Sequence, residues 1–222
     1  MAYQLSDIVT KVQQRVRDTG YSATEITNYI NDTQNDVFNE YALPFMQSSQ
    51  DYTLTIDEPD ITNGAGLPAN YVQAITLANT FNGNKEIIPY IDFTVLEEEF
   101  PDPEDLTQYP SGAPLYWYIY DETIKVYPAP EQAYTVTLKY RAKPILLSAD
   151  ADVPQVPSEF EELLVSGASY RVLQVKDNYD QAGIHQNKYD ELLLKLVKRY
   201  SVPQTGSPLR MRIGRIRTSR HF

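Results

Sequence analysis

The sequence of 222 residues contains no cysteine and only two histidines. It therefore cannot form disulfides or thiolate metal sites, and it cannot assemble a familiar set of zinc ligands. No segment approaches the roughly 18 apolar residues that a membrane span needs, and the amino terminus lacks the basic start and apolar run of a signal peptide. We expect a protein that is made and used in the cytosol, or that leaves it only inside a larger assembly, and that uses no cofactor, metal or membrane.

The sequence also lacks the usual catalytic signatures. Its glycine spacings match neither a phosphate-binding loop nor a dinucleotide fingerprint. His185 falls on a predicted helix amid polar neighbours, and no serine nucleophile elbow accompanies it, so we interpret it as a surface histidine. These observations predict that the chain is not an enzyme.

Carboxylates are the only abundant reactive groups, and six of them form a dense acidic run. They are Glu97, Glu98, Glu99, Asp102, Glu104 and Asp105. Consecutive glutamates on a helix point in different directions, and the run lacks the spacing of a calcium loop. We interpret it as a solvated acidic face, which could line the lumen of a ring and keep DNA from sticking. An alternative is a virion accessory enzyme that cleaves polysaccharide or cell wall through paired carboxylates.

Charge is unevenly distributed along the chain. The net charge is −11, yet residues 201–222 contain five arginines and no acidic residue. In this segment Leu209, Met211 and Ile213 alternate with Arg210 and Arg212. The pattern then continues with Arg215, Ile216 and Arg217.

A segment with alternating aliphatic residues can gain order by adding to a sheet edge or groove of another chain. We therefore predict an extended arm at 201–222 that docks on a protein partner. Leu209, Met211 and Ile213 would be its apolar anchors, and Arg210, Arg212, Arg215 and Arg217 would be its charge partners. The alternative is a DNA-binding head-completion factor whose arginines neutralise phosphates.

Hydrophobic periodicity predicts helices at both ends of the chain. Apolar stripes indicate helices at about 4–19 and, after a Ser22–Glu25 capping box, from 22 to Pro44. Further helices are predicted from Pro157 and at about 178–200. Gly167 and Ala168 would let another backbone approach closely.

A period of two predicts strands in the middle of the chain. We expect them at 52–56, 71–77 and 86–89, in a hairpin of 115–120 and 123–127, and at 134–140. A short helical piece is expected at 93–100. The predicted fold is therefore α+β: a four-helix body (1–47 and 154–200), an inserted antiparallel β subdomain (48–153) and the arm (201–222).

Short motifs in this order resemble those of the head-to-tail adaptor (connector) proteins of tailed bacteriophages. They are YIN at 29–31, LPANY at 67–71, GAPLY at 112–116, YPAP at 127–130, KP at 143–144 and PSEF at 157–160. The resemblance covers nearly the whole chain and extends to the closing helix pair.

The resemblance implies a structural virion protein at the portal vertex. Such a protein would form a ring of identical subunits, usually twelve, dock on the portal and extend the DNA channel. It would also provide a platform for the tail or nozzle protein, and DNA would pass without sequence-specific binding. In that family the helical bundle forms the ring wall, and an extended C-terminal arm inserts among portal subunits. The resemblance assigns no catalytic residue.

Overall fold

The computed structural model describes residues 3–17, 20–81 and 84–200. Within them the chain forms a mixed α+β fold with five α-helices and two antiparallel sheets, as the sequence predicts. The helices are α1 (Leu5–Val16), α2 (Ala23–Glu40), α3 (Phe93–Glu99), α4 (Glu161–Val175) and α5 (Tyr179–Tyr200). No helix in this part of the chain is long and apolar enough to cross a lipid bilayer.

Local interactions set the start of α2, and the backbone conformation of one residue sets the end of α1. The Ser22 hydroxyl accepts a hydrogen bond from the Glu25 amide (3.2 Å), and the Glu25 carboxylate accepts one from the Ser22 amide (2.9 Å). This reciprocal pair starts α2 and confirms the predicted capping box. Helix α1 ends earlier than predicted, because Arg17 adopts a left-handed conformation with φ of 51°.

Four strands form the larger sheet in the order β1-β6-β2-β3. They are β1 (Gln47–Thr53), β2 (Tyr71–Phe81), β3 (Asn84–Ile88) and β6 (Thr135–Ala142). The central strand β6 buries Tyr134, which precedes it, with Val136, Leu138 and Tyr140, as the alternation predicts. The prediction that Ile56 continues an inward-facing strand is wrong, since β1 ends at Thr53 and Ile56 is exposed.

Strands β4 (Tyr116–Tyr120) and β5 (Thr123–Tyr127) form a separate hairpin. Both turn residues, Asp121 and Glu122, have positive φ angles of 49° and 59°. This is the backbone geometry of a type I′ turn, whose twist matches that of the strands. The hairpin predicted at this position is confirmed.

The largest buried apolar cluster draws residues from α1, α2, α4 and α5, together with Leu147 and Val156. A second cluster lies between the larger sheet and the hairpin, and a third, smaller one is formed by Leu96, Tyr118 and Tyr127. Helix α4 contacts α1, α2 and α5. The division of the chain into domains at 47/48 and 153/154 stays a prediction.

Candidate assembly surfaces

The acidic run begins on α3, which is fixed at its start and along one side. The Asp92 carboxylate caps the helix by accepting hydrogen bonds from the Thr94 amide (2.9 Å) and hydroxyl (2.6 Å). These bonds hold the pKa of Asp92 below its usual value. Leu96 is fully buried, and the three glutamates that follow it are exposed.

The remaining acidic residues follow α3 in the loop before β4, and they differ in their surroundings. Asp102 is exposed, whereas the Asp105 carboxylate accepts hydrogen bonds from the Thr107 hydroxyl (2.6 Å) and amide (2.8 Å). The Thr107 bonds lower the pKa of Asp105. Asp105 is therefore part of the loop's own structure.

Glu104 connects this loop to the β4–β5 hairpin. Its carboxylate lies 2.6 Å from the Lys125 ammonium and accepts a hydrogen bond from the Tyr118 hydroxyl (3.2 Å). Burial raises the pKa of the Tyr118 phenol above its usual value, and Glu104 raises it further. Glu104 thus fixes the loop against the hairpin while it stays exposed, and the exposed acidic face consists of Glu97, Glu98, Glu99, Asp102 and Glu104. That this face lines a channel stays a prediction.

The structure groups few of the titratable side chains together. Within the described ranges, no three carboxylate or histidine side chains lie close enough to hold a metal ion. His185 is half-buried in a groove beside Arg15 and Glu162, which form an ion pair at 2.6 Å. Burial lowers the pKa of His185 and Arg15 lowers it further, while Glu162 acts in the opposite direction.

Motifs that are distant in sequence meet in the fold. The Asn70 side chain accepts a hydrogen bond from the Tyr140 hydroxyl (3.1 Å), and its backbone carbonyl accepts one from the Lys143 amide (2.7 Å). The Tyr71 and Tyr140 rings lie 5.7 Å apart. The LPANY and KP motifs are therefore two sides of one junction at the end of β6.

A second junction joins the GAPLY and YPAP motifs. The Gly112 amide donates to the Ala129 carbonyl (2.8 Å), and the Gly112 carbonyl accepts from the Glu131 amide (3.2 Å). A Cβ atom on Gly112 would lie 3.2 Å from Pro128 Cγ. The glycine thus lets the two segments run side by side.

The third junction is one that sequence reasoning missed. Asn31, the last residue of the YIN motif, is buried on α2 and holds the Leu147 backbone with two hydrogen bonds of 2.9 Å. Gln34, one turn further along α2, donates to the Ile145 carbonyl (3.1 Å) and accepts from the Gln155 amide (3.2 Å). In the sequence, the signal for this contact is the pair of side-chain amides of Asn31 and Gln34, which share one face of a predicted amphipathic helix.

The segment 145–147 that α2 holds in this way, the clamped loop, displays two large aliphatic side chains. Ile145 and Leu146 are adjacent and are 63% and 64% exposed. Their backbone is held by α2, so they cannot easily turn inward. Exposed apolar side chains on a rigid backbone are typical of a contact site for another protein.

The predicted docking arm, with Leu209, Arg210, Met211, Arg212, Ile213, Arg215, Ile216 and Arg217, lies outside the described residues. Its role therefore stays a prediction.

The described residues thus combine a helical core, two antiparallel sheets and two aliphatic side chains displayed on the clamped loop. The family model for the SU10 adaptor protein matches residues 3–212 of the chain. The chain belongs to this family of phage head-to-tail adaptors, which confirms the resemblance noted in its motifs. No curated protein matches the chain. The family is a structural one, and membership implies a virion component that interacts with portal and tail.

Proposed function

We propose that the protein docks on the portal as a ring, most simply a dodecamer, that extends the DNA channel and forms the platform for tail or nozzle attachment. The observation that carries this proposal is the family match, which reaches residue 212 and so includes the first part of the arm. The chain would act in the neck of the virion, without enzymatic activity, during genome ejection.

In this proposal the four helices α1, α2, α4 and α5 form the ring wall. Their shared core supports this assignment, because it makes one rigid unit from the two ends of the described chain. Ion pairs of 2.6 Å join Lys11 to Glu161 and Arg15 to Glu162, and so link α1 to α4. The inserted sheets at 48–153 would project from this wall.

Neighbouring copies would meet through the clamped loop. Burying Ile145 and Leu146 against a second subunit removes apolar area from water, and each such side chain contributes about 1.5–3 kcal/mol when fully buried. Because α2 already holds the loop backbone, association would cost little conformational entropy.

The arm at 201–222 would anchor the ring to the portal. Its arginines suit an acidic partner surface, and Leu209, Met211 and Ile213 suit a sheet edge or groove. The exposed acidic face would suit a channel that lets DNA slide, because like charge prevents adhesion.

Co-sedimentation with purified portal rings tests the proposal. We expect the full chain to sediment with the portal and the chain lacking 201–222 to remain in solution. A full-length variant with its five arm arginines replaced by glutamine is the matched control. It separates the effect of the arm's charge on portal binding from the effect of the arm's length. Equal sedimentation of all three proteins would refute the role of the arm, and binding to duplex DNA that depends on the arm would favour a head-completion factor.

A further inference from the structure

A cleft of about 310 Å³ lies beside the end of the larger sheet, and neither the acidic run nor the clamped loop lines it. Its walls come from β2, β3, the segment before β4 and the segment before β6. The residues used below are Asn79, Glu86, Ile88, Leu115, Glu131 and Tyr134.

Asn79 lies on β2 on the face of the sheet that covers the core. Its partner in register on β6 is Val136, which is fully buried, and its partner on β3 is Glu86. Asn79 is only 9% exposed, and its Oδ1 atom has no hydrogen-bond partner among the described residues. A buried acceptor without a partner destabilises a fold, and because Asn79 lines the cleft, a donor on a bound molecule is one way to satisfy this oxygen.

Two carboxylates stand at the rim of the same cleft. Glu86 lies directly opposite Asn79, and Glu131 accepts a hydrogen bond from the Tyr134 hydroxyl (3.1 Å). In the described part of the chain, neither carboxylate forms an ion pair with a lysine or arginine. The walls between them are apolar and include Ile88 and the 59% exposed Leu115.

An arginine side chain matches this arrangement of groups. Its guanidinium has five donors and no acceptor, so it can serve the Asn79 oxygen and a carboxylate together. Its aliphatic stem packs against apolar walls. A lysine would offer only a point charge, and an anion would be repelled by both carboxylates.

The chain itself supplies arginines that suit this cleft. Of the five arginines in the described residues, Arg15 pairs with Glu162, Arg171 with Asp36 and Arg199 with Glu159, whereas Arg17 is exposed. Arg141 donates to the carbonyls of Phe38 and Tyr41. Residues 201–222 hold five more arginines and no acidic residue.

We propose that the cleft of Asn79, Glu86 and Glu131 binds an arginine from residues 201–222 of a second copy of the chain. The inference rests on the proposed ring, because a site for another copy's arm is useful only where copies lie side by side. One arginine in this cleft leaves four on the same arm for the portal. The cleft would then link each arm to a neighbouring subunit.

A binding assay with a synthetic peptide of residues 207–220 tests the site. The acceptor is the full chain with all five arm arginines replaced by glutamine, so that its own arm cannot fill the cleft. We expect the labelled peptide to bind, measured by fluorescence anisotropy. The double substitution E86Q/E131Q should weaken binding by about tenfold or more, and so should N79L. N79L should leave the thermal midpoint unchanged or raise it, because it removes an unpaired acceptor, and this separates lost binding from lost folding.

The matched control is E97Q/E98Q, which removes the same charge from the exposed acidic face. It should change binding by less than about twofold, since neither Glu97 nor Glu98 lines the cleft. Equal weakening by both double substitutions would mean general charge attraction and would overturn the site, as would failure of the peptide to bind.

Sedimentation of the wild-type chain then tests whether the arginine comes from a second copy of the chain. We expect species larger than a monomer that E86Q/E131Q diminishes. A strictly monomeric wild-type chain whose cleft still binds the peptide would overturn the assignment to a second copy. Portal co-sedimentation of E86Q/E131Q is a separate measurement, so failure of the cleft and failure of the proposed function can be distinguished.

Discussion

Gly167 on α4 lies against Thr33 on α2 so closely that a Cβ atom on the glycine would overlap Thr33 Cγ2. The same atom would lie 3.1 Å from the Tyr189 ring on α5. Gly167 is therefore the point where three helices meet. The sequence predicts the close approach of another backbone here, but the nearest atoms belong to the side chains of Thr33 and Tyr189.

Replacing Gly167 with alanine should lower the free energy of unfolding by about 1–2 kcal/mol. The added methyl group costs about 1–3 kcal/mol of overpacking, and better helix propensity returns up to about 1 kcal/mol. Denaturant unfolding measures the change. In a T33S background the loss should shrink, because serine lacks Cγ2 but keeps the hydroxyl that donates to the Tyr29 carbonyl.

Gly183 on α5 is the matched control for that substitution, because nothing lies within 4 Å of the position that an alanine methyl group would take there. G183A should stabilise the protein by about 0.5–1 kcal/mol through helix propensity alone. A G167A protein as stable as G183A would contradict the close packing of α2, α4 and α5.

Replacing Asn31 with alanine should destabilise the protein by about 2–3 kcal/mol, because it leaves the buried amide and carbonyl of Leu147 without partners. Asn28 on the exposed face of α2 is the control, and N28A should change stability by less than about 0.5 kcal/mol. Thermal and denaturant unfolding of both variants test this. Equal effects would mean that α2 does not hold the loop.

We expect acid to destabilise the linker before α4, because it protonates the Asp152 carboxylate. Its carboxylate accepts hydrogen bonds from the Ser148 amide (2.7 Å) and the Ala149 amide (2.8 Å), and these hold its pKa below the usual value. A lowered folded-state pKa gives stability that is present above the unfolded value, about 3.9, and is lost as pH falls through the folded-state pKa.

The variant D152N should therefore be less stable than the wild type at neutral pH. It should lose less stability than the wild type between about pH 5 and pH 2, so that the two unfolding curves converge in acid. Parallel curves over this range would show that Asp152 makes no such contribution.

Replacing Ile145 and Leu146 together with serine should leave the thermal midpoint nearly unchanged, because both side chains are already exposed. The same variant should fail to form rings on the portal if these residues contact a neighbouring copy. Electron microscopy of the mixture counts the rings. The control is I56S/I75S, which removes two exposed aliphatic side chains outside the helical wall and should assemble normally. Normal rings from the Ile145–Leu146 variant would exclude the loop from the interface.

Local features were predictable from the sequence because neighbouring residues determine them. The Ser22–Glu25 capping box and the Asp121-Glu122 turn are of this kind, and both were predicted correctly. The alternation of Tyr134, Val136, Leu138 and Tyr140 likewise revealed the inner face of the central strand.

Features that depend on long-range pairing were not predictable. Strand β6 pairs with β1 and β2 instead of the nearby hairpin. In its pairing with β1, Lys139 lies opposite Ser49, which is 90 positions earlier in the sequence. The Asn31 clamp, which fixes the backbone beside the exposed Ile145 and Leu146, spans 116 positions. Glu104 is exposed, as expected for a solvated acidic run, but its contacts with Lys125 and Tyr118 on the hairpin could not be read from the sequence.

Electron cryo-microscopy of the full chain mixed with purified portal rings tests the central claim most directly. The proposed function predicts a second ring, coaxial with the portal and most simply of twelve subunits, with residues 201–222 inserted among portal subunits. Chains that remain free, or that bind away from the portal axis, would contradict it.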